Sequence, residues 1–160
     1  MSVSRRPVVW VLVGVLFLLH FVLHVGLGIG REAPDLLTVA LLLAVREVGP
    51  GTAAGIGLLF GLLEDSLSVL AFGANSVAMT IIGISGAFTR DLFVGDSRLF
   101  VVSYLFLGKL GRDFAHWVLV GEELRQPFAA QVIVDGGIAG LYVAGIGLAL
   151  TFFIRLTAES

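Results

Sequence analysis

Residues 8 to 28 read VVWVLVGVLFLLHFVLHVGLG, an apolar run interrupted only by three glycines and two histidines. One bilayer crossing takes about 20 residues of helix, so this run predicts a membrane span. The run is too long for the apolar core of a cleavable signal peptide, and it lacks a small-x-small cleavage site. We therefore expect it to remain in the protein as the first span.

The composition of the whole chain extends this prediction. Of its 160 residues 58% are hydrophobic and the mean hydropathy is +1.03, well above the roughly 45–50% apolar content of soluble domains. The apolar runs lack the period-2 alternation of a barrel strand, so helices remain the way to satisfy the backbone in lipid. The sequence predicts an all-α polytopic membrane protein that forms one transmembrane domain over residues 1–160, with no room for a separate soluble domain.

Short polar loops divide the chain into six apolar segments. We place them at Val8–Gly28, Leu36–Val45, Thr52–Leu70, Ser76–Phe88, Leu99–Val120 and Phe128–Ile154. The second and the fourth are short, at about 10 and 13 residues, against the roughly 17 that a crossing needs. Each must borrow loop residues, tilt, or be shielded by its neighbours.

The positions of the arginines predict the orientation. With six spans and a cytoplasmic N-terminus, six arginines lie inside and two lie outside, as the positive-inside rule favours. Those inside are Arg5, Arg6, Arg46, Arg90, Arg98 and Arg155, and those outside are Arg31 and Arg125. Both termini are then cytoplasmic, although a re-entrant second segment stays open as an alternative.

Charge and motif content point away from several function classes. The net charge is −2, without a basic block, so nucleic acid is not an expected partner. Cysteine is absent, which excludes disulfides and thiolate chemistry. His20 and His24 lie four residues apart and could bind a metal or move a proton, but we favour a hydrogen-bonded core role. With no nucleophile elbow, phosphate-binding loop or zinc motif, we expect no enzymatic activity, catalytic residue, metal or cofactor.

Small residues recur at four-residue spacing in two segments. The third contains Gly51, Gly55, Gly57 and Gly61, and the sixth contains Gly136, Gly140 and Ala144. Such ridges let helix backbones approach closely in lipid, so both helices are expected to form tight contacts. We favour packing within the bundle; the alternatives are a homo-oligomer face or a partner-binding face, for which the four glycines of the third segment are the candidates.

Charged and histidine side chains inside the apolar segments predict a buried network. The candidate set is His20, Glu64, Asp65, Lys109, Arg112, Asp113 and Asp135. Counted along ideal helices from the cytoplasmic end, His20, Glu64, Asp65 and Arg112 come out roughly 18–20 Å deep. Asp135, counted from the other side, falls near the same level, so these residues can meet in one layer. Lys109 and Asp113 form an i, i+4 pair, which leaves Arg112 for Glu64, Asp65 or Asp135. We favour a structural ion-pair network over a proton relay or an ionic ligand site.

The central part of the chain resembles a known family. Pro34-Asp35-Leu36-Leu37 opens a short apolar run that Arg46 closes; a glycine-dotted helix then ends in Gly61-Leu62-Leu63-Glu64-Asp65, and Phe72-Gly73-Ala74-Asn75 precedes the next helix. In this order, and in a six-segment chain of this size, these motifs resemble the rod shape-determining protein MreD family. Glu64 departs from the pattern, where an apolar residue is expected.

The resemblance implies a function and partners. It implies a multi-pass protein of the bacterial inner (cytoplasmic) membrane, in contact with lipid, that binds the transmembrane helix of MreC and acts through it with MreB, RodA and the peptidoglycan transpeptidase in cell elongation. The family is similar in fold to the substrate-binding subunits of energy-coupling-factor vitamin transporters, which supplies the alternative function. Those subunits carry an Ala-x-x-x-Ala pair on the first helix, and the run from Trp10 to His20 has none.

Overall fold

Every regular element that the structure describes is helical. The computed structural model describes residues 5–26, 34–68, 71–92 and 98–159, and no strand occurs within these ranges. The predicted all-α class is therefore confirmed for this part of the chain.

Six α-helices follow one another along the described chain. They are α1 (Arg5–Phe21), α2 (Leu36–Val45), α3 (Pro50–Asp65), α4 (Ala74–Leu92), α5 (Arg98–Leu119) and α6 (Gly136–Glu159). A π-helical stretch, Val22–Gly26, extends α1, and another, Ala129–Asp135, leads into α6. A single 3₁₀ turn, Glu122–Leu124, lies between α5 and α6.

Each helix overlaps one of the six predicted segments. The second segment is matched at both ends by α2, which has only 10 residues. The fourth is extended at both ends, because α4 has 19 residues and includes Ala74 and the polar residues after Phe88. The third helix ends earlier than predicted, at Asp65, whose side chain takes part in the turn that follows.

The short helix α2 lies at the centre of the bundle. All ten of its residues are buried, and it contacts α1, α3, α4, α5 and α6. Its sequence, LLTVALLLAV, is apolar on every face apart from Thr38, as expected of a helix surrounded by others. The neighbouring helices therefore shield the short second segment, which was one of the three arrangements predicted for a segment too short to cross by itself.

The surrounding helices expose apolar side chains outward. On α1 they include Val11, Val15 and Leu18, and on α6 Leu141, Phe152 and Phe153, each at least half exposed. Two helical stretches, Arg6–Val25 and Ala129–Phe153, are long and apolar enough to cross a bilayer by length and composition. Apolar surface of this extent is unusual for a protein that faces water.

Glycines hold α3 and α4 in close contact. Gly57 and Gly61 are buried, and a Cβ atom on Gly61 would lie 2.6 Å from the Asn75 carbonyl oxygen. In return, a Cβ atom on Gly83 of α4 would lie 2.7 Å from the Ala53 carbonyl oxygen. The candidate partner-binding face must therefore be corrected: α4 of the same chain already covers Gly57 and Gly61, whereas Gly51 and Gly55 stay exposed with open space around them.

The small residues of α6 pack in the same way against α5. A Cβ atom on Gly140 would lie 2.9 Å from the Phe106 ring, and Ala144 is buried. The tight contacts predicted for the third and sixth helices are thus confirmed as packing within one bundle.

We expect Gly61→Ala to destabilise the protein by about 1–3 kcal/mol, because the added methyl group would force α3 away from α4. The matched control is Gly55→Ala on the same helix, which meets no atom within 4 Å and is expected to be neutral or stabilising. Thermal unfolding of both variants in one detergent measures the difference. Equal melting temperatures would mean that the α3–α4 contact is not close-packed.

Candidate functional site

Three helix ends meet inside the bundle at one level. Here α2 begins after Asp35, α3 ends at Asp65, and α4 begins at Ala74. Asp35 is bonded to Arg112, which lies about 21 Å along α5 from its first residue, at about 1.5 Å per residue. The longer helix α5 continues past this level, so the ends of the shorter helices are surrounded by protein. The side chains around these ends form what we call the charged layer: Asp35, Glu64, Asp65, Asn75, Ser76, Lys109, Arg112 and Asp113.

Asp35 caps the N-terminus of α2. Its carboxylate accepts hydrogen bonds from the Thr38 backbone N–H at 3.0 Å and from the Thr38 hydroxyl at 2.7 Å. An acidic N-cap satisfies backbone donors that have no partner within the helix and interacts favourably with the helix dipole. The same carboxylate lies 3.1 Å from the Lys109 ammonium and is bonded to Arg112, so Asp35 connects α2 to α5.

Arg112 joins three helix ends. Its Nη1 donates to Asp35, and its Nη2 donates to Glu64 at 2.6 Å and to the Asn75 side-chain oxygen at 2.9 Å. The guanidinium is 7% exposed and binds one oxygen of each acid rather than both oxygens of one. Because its donors are fixed in a planar fork, arginine can bind acceptors from α2, α3 and α4 at once.

Lys109 forms the second cationic position of the layer. Its ammonium lies 2.5 Å from Asp113 Oδ1, one turn further along α5, which confirms the predicted i, i+4 pair. Lys109 also contacts Asp35, so Lys109 and Arg112 share one carboxylate.

Asp65 has a role that its charge alone did not predict. It is fully buried, and instead of pairing with a cation it accepts backbone N–H bonds from Gly73 and Ser76 at 2.9 Å and from Asn75 at 3.1 Å. The Ser76 hydroxyl donates to it at 2.5 Å. Gly73 has a φ of 95°, which favours glycine and turns its N–H toward the carboxylate. The last residue of α3 therefore caps the first turn of α4.

The two remaining candidates lie apart from these contacts. His20 is buried, and its ring stacks on His24 with 4.0 Å between ring centroids; His24 Nδ1 lies 3.0 Å from the His20 carbonyl oxygen. Asp135 is exposed and forms no ion pair in the part of the chain described here, so its placement beside Arg112 is wrong. Residue counting gave its depth but not the direction it faces, and the wider turns of the π-helical stretch change that direction.

The layer contains four carboxylates and two cations. Asp35, Glu64 and Asp113 face Lys109 and Arg112, while Asp65 is stabilised by hydrogen-bond donors. Within the described residues no group of three or more His, Cys, Asp or Glu side chains is arranged to hold a metal ion. The contacts observed are those of a network that satisfies helix ends and fixes the order of the helices.

Asp35, Asn75 and Ser76 are the members that the candidate set missed. A signal for Asp35 was present, because Asp immediately before an apolar run is an N-cap pattern. Its burial was concealed because a residue in a polar loop is normally placed at the surface of the protein, whereas Asp35 lies among the helices around α2.

A scan against protein-family models, a search of curated proteins and a search of solved structures each found no match.

We expect Arg112→Leu to cost about 3–5 kcal/mol and most of the folded yield, because it leaves buried carboxylates without their cation. Arg112→Lys should recover part of the yield, since an ammonium keeps the charge but cannot bond all three acceptors in the same geometry. Asp135→Leu is the control and should keep the folded yield. The measurement is monodisperse recovery by size-exclusion chromatography in detergent; a normal yield of Arg112→Leu would contradict the structural role of the layer.

Proposed function

We propose that this chain is a non-enzymatic, multi-pass component of the bacterial cytoplasmic membrane, of the MreD kind. In this proposal it binds the transmembrane helix of MreC and, through MreC, acts with MreB, RodA and the peptidoglycan transpeptidase in cell-wall synthesis during elongation. Its six helices all cross or enter the bilayer, with both termini in the cytoplasm.

The observation that carries the proposal is the convergence of the motif residues. Asp35, Glu64, Asp65, Gly73 and Asn75 are spread over some forty positions of the sequence, yet all take part in the charged layer. Asp35, Asp65, Gly73 and Asn75 are positions on which the resemblance was based, whereas Glu64 departs from the family pattern. Residues that belong to one network are expected to occur together, which supports treating the motifs as one family pattern rather than as separate coincidences.

Contacts at the two ends of the bundle support the topology. At the end assigned to the cytoplasm, Arg6 of α1 donates to the Glu47 carbonyl oxygen at 3.0 Å, so the N-terminus and the α2–α3 loop lie on one side. At the opposite end, Arg125 lies over the Trp117 ring at 5.0 Å, and Trp117 Nε1 donates to the Gln126 carbonyl oxygen. Tryptophan at the end of a helix is typical of a membrane interface.

The open part of the α3 face is the proposed site for the MreC helix. Gly51 and Gly55 are exposed with no atom within 4 Å of an added Cβ, and Leu58, Leu59 and Leu62 continue the same face. Two small residues followed by leucines form a shallow groove of the kind that lets a second transmembrane helix approach closely.

Single-cysteine labelling tests the six-span topology directly, because the chain has no cysteine of its own. We expect Phe72→Cys and Leu124→Cys, both at exposed positions, to react with a membrane-impermeant maleimide in intact cells. Gly49→Cys, in the exposed α2–α3 loop, should react only after lysis. Labelling of Gly49→Cys in intact cells would contradict the assigned orientation.

Affinity capture from native membranes in mild detergent tests the partner. We expect MreC to co-purify with the wild-type protein, and Gly55→Leu to reduce its recovery several-fold because leucine fills the groove on α3. The control is Ala149→Leu at an exposed position of α6.

Two outcomes would contradict the proposal in different ways. Undiminished capture of MreC by well-folded Gly55→Leu would rule out the α3 face as the binding site but would leave MreC as the partner. Recovery of two ATPase subunits and a coupling membrane protein, without MreC, would assign the chain to a vitamin transporter.

A further inference from the structure

A groove runs between α4 and α5 on the outside of the bundle. Its volume is about 490 Å³, within the roughly 300–1,000 Å³ of ligand sites. Leu42 of the central helix forms the floor, and the walls include Ile82, Gly86, Leu107 and Gly108. The lining is mainly apolar, with hydroxyl groups of two exposed serines, Ser85 and Ser103, at the rim.

Two glycines let the wall helices pack closely against the floor of the groove. A Cβ atom on Gly108 would lie 2.6 Å from the Leu42 side chain, and one on Gly86 would lie 2.8 Å from the Tyr104 hydroxyl. Tyr104 in turn donates to the Leu42 carbonyl oxygen at 3.0 Å. The floor is therefore held in place by a hydrogen bond and by close contacts with both wall helices.

The groove has the length of one lipid leaflet. Along α5 it extends from Leu99 to Gly108, about 14 Å at about 1.5 Å per residue. One leaflet is half of a hydrocarbon core about 30 Å thick, so its thickness is similar to the length of the groove. The inner end is next to Lys109 of the charged layer, so the groove does not cross the bilayer. A partner helix that crosses the membrane would need a face about twice as long, whereas an acyl chain would not.

An arginine lies at the other end of the groove. The Arg46 guanidinium lies 5.6 Å from the centroid of the Phe100 ring and 5.9 Å from that of Tyr104, two of the lining residues. An apolar groove with an arginine at the end assigned to the cytoplasm is complementary to an anionic lipid.

We propose that this groove binds one acyl chain of an anionic phospholipid of the cytoplasmic leaflet, with the headgroup phosphate at Arg46. The proposal rests on the membrane topology proposed above but not on the identity of the protein partner. It uses a surface other than the Gly51–Gly55 face of α3, so the lipid and a partner helix can be bound together.

Native mass spectrometry of the full-length protein purified from membranes tests the proposal. The protein is titrated with phosphatidylglycerol and, separately, with phosphatidylcholine of the same acyl chains. We expect phosphatidylglycerol to bind about fivefold more tightly, the factor for one arginine near a membrane surface. Arg46→Gln should abolish this preference while phosphatidylcholine binding is kept.

Ser103→Phe is a second variant that does not depend on Arg46. Ser103 is exposed at the rim, so phenylalanine there narrows the groove without entering the core, and we expect at least a several-fold loss of both lipids. Ala149→Phe, at an exposed position of α6 outside the groove, is the control and should bind lipid as the wild type does.

Three results would overturn the lipid proposal. Equal affinity of the wild type for the two lipids would contradict recognition of the anionic headgroup. Undiminished binding by Ser103→Phe would show that the lipid binds outside the groove. A protein that co-purifies with the wild type and is lost in Ser103→Phe would assign the groove to a partner helix. Failure of the topology is distinguishable from these, because Gly49→Cys would then be labelled in intact cells before any lipid is added.

Discussion

The rest of the bundle depends on how the buried ends of its short helices are satisfied. A helix end leaves backbone N–H or C=O groups without partners, and in a medium of low dielectric each unpaired group costs several kcal/mol. Here α2 has only 10 residues, so its N-terminus lies inside the protein, where Asp35 accepts from Thr38. Asp65 does the same for α4. Carboxylates that cap buried helices need compensation, which accounts for Arg112 and Lys109 beside Asp35.

Two kinds of contact have different roles in this fold. The glycine contacts between α3 and α4 are close approaches of backbone, as at Gly57 and Gly61, and they fix the distance between helices. The bonds of Arg112 fix which helix ends meet, because the guanidinium has acceptors on three separate elements. Close packing without the arginine would leave the order of the helices less specified, and the arginine without close packing would be exposed to lipid.

The proposed functions use the surfaces that these contacts leave uncovered. The outward face of α3 carries the unburied glycines, and the groove between α4 and α5 exists because α2 is present beneath it as a short central helix. Partner and lipid would then both bind to the exterior of a bundle whose interior is held by charge. The charged layer acts as a support for these surfaces in this view, and needs no ligand of its own.

The sequence by itself determined the helical class, the positions of the six segments and the Lys109–Asp113 pair, because hydropathy and i, i+4 spacing are local properties. Only the tertiary structure decided that Asp35 belongs to the layer, that Asp65 caps a helix, and that Asp135 faces outward. It also decided that Gly57 and Gly61 are covered by α4 while Gly55 is not. The reason is that spacing along a helix gives the depth of a residue, whereas the direction its side chain faces depends on which helices become neighbours.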